Sequence, residues 1–248
     1  SIGADNVAKS PPDGYTLLIN SSALVVNPWV MKPPFDIRKD LVPVVRTAVT
    51  PYLMTISPHL PVQNFEEFIA YAKAHPGKVA CGTYGLASPP HLHLEMLKNA
   101  AGVDILHVPY KTYMQALTDL LSGQVQCSID PPTIPIPHVQ AGKIRAIAHS
   151  GEGVMPLFKD ITAIGKRYPG TGVVGWQAIF VPAGTPAPIL TKLRTDWQKV
   201  IFDPQIGDKI RGFGFEPGGD SIDAFAKEIL DDYDKFGRVI KDNNIRLE

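Results

Sequence analysis

Residues 81–97, CGTYGLASPPHLHLEML, read as the end of a strand, a glycine- and hydroxyl-rich loop and the start of a helix. Val79, Ala80 and Cys81 close a short apolar run, and Gly82 and Gly85 break the pattern around Thr83 and Tyr84. Ser88 stands where an N-cap belongs. Pro89 and Pro90 follow at first-turn positions, where a missing N–H costs nothing. Leu92, Leu94, Met96 and Leu97 then begin an apolar face. Such a loop, opening a helix beside hydroxyls, is expected to leave unpaired backbone N–H groups able to seat an anion such as a carboxylate. The plainer reading is a capped turn with no ligand.

The same rhythm extends in both directions. Upstream, residues 15–19 form a buried strand running into Asn20-Ser21-Ser22, and residues 28–41 read as irregular, MKPPFDIRKDL being an extended surface segment. Residues 42–49 and 52–56 are β-rich runs separated by Thr50-Pro51. Asn64 caps a helix over 65–75, which Gly77 stops. Downstream, strands are expected at 104–110, 124–130 and 144–149, with a helix at 113–122 and a short one before Gly142. Alternation of this kind predicts a parallel, doubly wound α/β sheet with ligands at the carboxyl ends of its strands, where Asn20, Thr83, Lys111 and Asp130 fall. A long apolar run at 173–181, helices at 186–202 and 203–210, and a short strand within 212–219 follow. Ser221 caps a last helix, 222–243, whose stripe of Phe225, Ile229, Tyr233, Phe236 and Ile240 has the spacing of a core face.

Lys plus Arg and Asp plus Glu balance at 24 each, which supports neither a nucleic-acid partner nor a strongly acidic binding surface. No run approaches the ~18 consecutive apolar residues of a membrane span, so no membrane insertion is expected. No basic-then-apolar opening marks a signal peptide, which is also true of a mature exported chain. The 24 prolines are scattered through connections, which argues for many short ordered loops. Cys81 and Cys127 both end expected strands. A disulfide between them is open to an oxidising compartment, but two buried free thiols are the expected state. No Cys/His spacing suits a metal, and His91 and His93, two apart on a helix, face different sides. His91 reads instead as a structural partner for the loop. There is no GxSxG elbow, P-loop or GxGxxG, so no cofactor is expected and enzyme chemistry is disfavoured. A Ser88/His91/Asp130 grouping, the best a hydrolase reading could draw, has Ser88 and His91 locked on one short turn.

Several motifs then occur in one order: PDGYTLL (12–18), GLASPPHL (85–92), VPYK (108–111), ALTDLLSGQV (116–125), PHVQAGKIRAIA (137–148), VPAGTP (181–186) and VIKDNNI (239–245). Over essentially its whole length the chain resembles the substrate-binding proteins of tripartite tricarboxylate transporters, the Bug-type periplasmic receptors. The resemblance implies a two-lobed, Venus-flytrap binding protein of type II. Its ligand would be a small carboxylated solute, and its partners the membrane permease subunits that read the closed state. A sensor receptor serving a two-component signalling partner has the same sequence features. On this mapping the first lobe comprises 1–51 and 172–248 and the second 52–171. The family opens with a strand, a Pro-Gly-Gly loop and a helix ahead of Ser1, so the first lobe is expected to be incomplete, with dimerisation as one way to cover it. Lys111-Thr112-Tyr113 also replaces the family's usual Lys-Gly-Gly or Lys-Gly-Ser.

The candidate ligand-binding residues are Ser21, Ser22, Thr83, Gly85, Leu86, Ala87, Ser88, Lys111, Thr112 and Asp130. Ser21 and Ser22 could donate to a carboxylate, or form a turn that satisfies only local backbone. Lys111 could draw anions in or be a solvated surface lysine. Asp130 could pair with a ligand amine, orient a water or cap the following turn. Tyr113 and Trp176 would suit an aromatic or larger carboxylate.

Overall fold

Val79–Tyr84, the strand ahead of the glycine loop, has strands on both sides: Ile105–Tyr110 pairs with it in parallel on one side and Cys127–Asp130 in parallel on the other. A computed structural model of the chain describes residues 2–219 and 221–246. The chain divides into two units, Ser1–Val49 with Gly175–Glu248, and Thr50–Val174. It crosses between them twice, once within the strand Leu41–Pro51 and once within Val174–Pro182.

The second unit carries a six-stranded sheet in the order Ile105–Tyr110, Val79–Tyr84, Cys127–Asp130, Leu53–Ile56, Arg145–His149, Thr162–Ala163. The expectation of a wholly parallel sheet is corrected here. Leu53–Ile56 runs antiparallel to both of its neighbours, with Leu53 opposite Asp130 and His149. This strand enters from the other unit instead of returning through a helix, so no right-handed crossover fixes its direction. Phe65–Ala74 leads from it to Val79–Tyr84, and residues 150–161 join Arg145–His149 to its parallel partner Thr162–Ala163 without a helix. The parallel steps from Val79–Tyr84 to Ile105–Tyr110 and on to Cys127–Asp130 have the helices they need, Pro89–Ala101 and Tyr113–Ser122. Gly102 and Gly123 end the last two in left-handed conformations. Pro89–Ala101 buries Leu92, Leu94 and Leu97 completely, at about 1.5–3 kcal/mol of transfer free energy each.

The first unit holds a four-stranded sheet ordered Leu18–Ser21, Val174–Pro182, Leu41–Pro51, Glu216–Pro217. Val44, Val45, Ile179, Val181 and Ile201 form one core cluster there, with Leu190, Leu193 and Trp197 of the helix Ala187–Ile201 packed against it. The last helix, Ile222–Asp242, buries Phe225, Ile229, Phe236 and Ile240, so the apolar stripe is core. At Gly237 a Cβ would overlap the Trp29 ring, whose Nε1 donates to the Tyr233 carbonyl at 2.9 Å. Trp176, considered above for an aromatic ligand, is 1 % exposed against Phe180 and Phe225 and donates to Asp232, so it belongs to this core. Residues 28–41 are also corrected: Ala23–Met31 and Ile37–Asp40 are helical. Pro28 sits inside the first of these, and Asp36 caps the second by accepting from the Arg38 N–H.

Cys81 and Cys127 stand opposite each other on the central parallel pair and are disulfide-bonded, so free thiols are not their state. The register that holds the strands side by side brings the two Cα atoms to 4.5 Å, within bonding reach. The bond closes a span of 46 residues. Replacing both cysteines by alanine should cost about 2–4 kcal/mol, read from denaturant midpoints at unchanged slope; an unaltered midpoint would show that the strand ladder alone sets the stability.

Candidate functional site

Because three neighbouring strands run the same way, their carboxyl ends finish together. Tyr84 is level with Tyr110 across one pairing, and continuing the register Cys81–Cys127, Gly82–Ser128 sets Tyr84 level with Asp130. The loop 85–88, the segment 111–112 and Asp130 therefore lie along one edge of the second unit, at the carboxyl ends of the strands where open α/β sheets take their ligands.

The loop's backbone donors are mostly used within the unit. Gly85, at φ +65°, donates to the Tyr110 carbonyl at 2.7 Å, a left-handed turn that suits a residue without a Cβ. Ala87, also left-handed at φ +55°, donates to His91 Nδ1 at 2.9 Å. Ser88 caps the helix by accepting from the His91 N–H. Pro89 and Pro90 have no N–H at all, so the helix start offers no free donor and the expected anion seat contracts. Leu86 and Ser88 N–H are the loop donors that remain without a protein partner among the described residues, with Leu86 36 % exposed.

Below the loop, His91 and His107 stack with ring centroids 3.7 Å apart and planes 9° from parallel. Thr83 Oγ1 lies 2.8 Å from His107 Nε2, and Glu95 sits between His91 Nε2 at 3.7 Å and Lys98 Nζ at 2.9 Å. Burial, with the neighbouring His91, pushes His107 down to about 3, because a second buried charge beside His91 is disfavoured.

At the strand ends, Tyr84 and Tyr113 lie against each other with centroids 4.2 Å apart and share a hydrogen bond. Burial raises both phenols, so both are neutral hydroxyls at physiological pH. Asp130 is 2 % exposed, and burial pushes its carboxyl up to about 7 despite a hydrogen bond from Ser128. Tyr52, beside the crossover strand, lies next to the group: its N–H donates to Ser150 Oγ at 2.8 Å, and it stands close enough to Tyr113 to interact with it electrostatically. Among the described residues no three metal-ligating side chains cluster, and no helix is long and apolar enough to cross a membrane.

The model of the tripartite tricarboxylate transporter family receptor matches residues 1–245. The chain belongs to that receptor family. A solved periplasmic transporter is 34% identical, with a TM-score of 0.86 over all of this chain and 84% of its own. Rpa4515 of R. palustris, solved with adipate, is 31% identical with a TM-score of 0.86 over 99% of this chain and 83% of its own. Protein BugT of Bordetella pertussis is 29% identical over 100% of this chain and 77% of its own length. Family and fold are those of a solute-binding protein of the two-lobed type II class, not of an enzyme.

The receptor's expected site residues fall in both units. Ser21 and Ser22 are in the first. Ser21 Oγ accepts from the Ala23 N–H, the local turn weighed above, and Ser22 is fully buried at the head of the helix Ala23–Met31. The second unit brings Thr83, Gly85, Leu86, Ala87, Ser88, Lys111, Thr112 and Asp130 to one edge, with unequal availability. Thr83 is held by His107, Thr112 Oγ1 caps the helix Tyr113–Ser122 through the Gln115 N–H, and Lys111 is exposed on a shallow depression beside Met114 and Asp119. Sequence reasoning passed over Tyr84, Tyr52 and Ser128. For Tyr84 and Ser128 the available signal was their place at, and two before, the last residue of strands meant to end together; Tyr52, ahead of the antiparallel strand Leu53–Ile56, carried no such signal.

The histidine stack gives the receptor an acid limit. His107 is neutral when folded and takes up a proton near 6.5 when unfolded, so its contribution is full above that pH and is lost as pH falls toward 3. By pH 4 the loss should be on the order of 2 kcal/mol after allowing for partial exposure. His107→Asn should flatten the fall in melting temperature between pH 7 and 4; an identical pH profile in the variant would exclude this histidine as the cause.

Proposed function

We propose that this chain is a periplasmic receptor that captures a small carboxylated solute by hinge closure of its two lobes and presents the closed form to membrane permease subunits. The observation that carries this reading is the family match along residues 1–245, joined to adipate in the 31%-identical Rpa4515. Three features support it. The chain passes between its units twice within strands, which leaves two short backbone segments to absorb a hinge rotation. The edge of the second unit offers neutral donors suited to a carboxylate, the Leu86 and Ser88 N–H groups and the Tyr84–Tyr113 pair. The Cys81–Cys127 bond fits an oxidising compartment.

Native mass spectrometry before and after mild denaturation, followed by a thermal-shift panel of C4 to C8 mono-, di- and tricarboxylates, tests this. A binding carboxylate at about 100 times its Kd should stabilise the protein by about 2.7 kcal/mol. It should also reduce the radius of gyration in small-angle scattering. No shift with any carboxylate would overturn the receptor reading for this chain, and a shift at constant radius would remove hinge closure from it.

A further inference from the structure

Asp130 sits at the end of the central strand Cys127–Asp130, and its Oδ1 is buried with no hydrogen-bond partner among the described residues. Its other oxygen is held differently. Ser128 Oγ contacts Asp130 Oδ2 and lies 3.2 Å from the Gly82 carbonyl, yet has one hydrogen for two acceptors. If Asp130 is ionised, one acceptor goes without. If Oδ2 carries a proton, the acid donates to Ser128, Ser128 donates to Gly82, and every hydrogen has a place. In either form Oδ1 remains a buried acceptor facing no protein donor. Leaving such an oxygen unmatched is unfavourable by an amount worth about 5- to 150-fold in an equilibrium, so a solute that brings a donor is rewarded.

The neighbouring phenols complete the pattern. Tyr84 and Tyr113 lie against each other and share a hydrogen bond; two hydroxyls bring two hydrogens and the shared bond uses one, so the pair keeps one O–H for a third group. A free donor and an unmatched acceptor therefore stand at one strand-end level.

We propose that Asp130 recognises a hydrogen-bond donor, a hydroxyl or an ammonium, carried beside a carboxylate on the bound solute, while the Tyr84–Tyr113 pair serves the carboxylate. This rests on the receptor reading above and narrows its ligand to substituted acids. The titratable groups facing Asp130 are Tyr84 from the adjacent strand and Tyr113 from the helix Tyr113–Ser122, with Tyr52, beside the crossover strand, next to Tyr113. Leu53–Ile56 itself contributes none. On the packed helix Pro89–Ala101, His91 and Glu95 are engaged with Ala87 and Lys98, and His93 Nδ1 lies 3.0 Å from the Thr171 carbonyl. No cation among these groups answers the Asp130 charge.

Isothermal titration of the purified chain with two matched series decides it: succinate, malate and aspartate, and adipate with its 2-hydroxy and 2-amino derivatives. At least one substituted acid should bind about 5- to 150-fold tighter than its unsubstituted parent, and Asp130→Ala should bring parent and derivative to equal affinity. An ammonium should further gain about tenfold between pH 6 and 8, as Asp130 ionises through its value near 7; a hydroxyl should show no such gain. Equal affinity for parents and derivatives in both series would overturn the inference and leave the receptor reading standing. The wild-type comparison alone decides this if Asp130→Ala does not fold. Absence of binding by all six together with a flat carboxylate panel would overturn both.

Discussion

The register of three parallel strands is the constraint on which the second unit depends. Cys81 faces Cys127 and Tyr84 faces Tyr110 because the strands run in the same direction at matched height. A slip of one residue would send every side chain to the opposite face. It would part the cysteines and move Asp130 from the level of Tyr84. The loop 85–88 inherits its position from the same alignment, since Gly85 closes onto the carbonyl of Tyr110 on the neighbouring strand. The disulfide thus reinforces a register that the turn at Gly85 also needs.

Much of this frame can be read directly from residues. Ser88 with Pro89 and Pro90 announces a helix start, Gly102 that helix's end and Gly123 the end of the next; all act as local rules require. The helix Tyr113–Ser122 has its expected limits because Thr112 supplies the cap and Gly123 the left-handed stop, two signals within reach of the backbone they serve. The direction of Leu53–Ile56 was not legible. Nothing within four residues states whether a strand returns through a helix or arrives from another unit. Segment 28–41 misled for a related reason: Pro28 and the Pro33-Pro34 pair suggest irregularity, while burial of Leu24, Val25 and Val26 overrides propensity and keeps the helix through Pro28.

At the candidate site, what was legible was place, and what was not was availability. Periodicity sets Thr83, Lys111 and Asp130 at the ends of strands and Ser88 at the head of a helix. Whether a hydroxyl or N–H there is free depends on partners distant in sequence. Thr83 is claimed by His107, 24 residues away, and Gly85 by Tyr110. The helix start, the strongest anion signal in the sequence, is emptied by its own residues: two prolines bring no donors, and Ser88 takes the third. The same prolines that make the helix easy to recognise remove the N–H groups for which such a start is usually noted.

This redistribution bears on how a receptor can be both stable and receptive. Polar groups that define the loop are matched inside the unit: Ala87 to His91, Thr83 to His107, Glu95 to Lys98. Each match rigidifies the scaffold and withdraws a group from ligand contact. The groups left over are few and sit at the ends of the most constrained strands, where the fold can tolerate an unmatched oxygen because buried leucines and a covalent link hold the position regardless. An unmatched group on a mobile loop would find water or a neighbour and lose its selectivity. Held on a fixed strand end, Asp130 can be satisfied only by what enters the site, and that is the condition under which an unsatisfied atom becomes a means of discrimination.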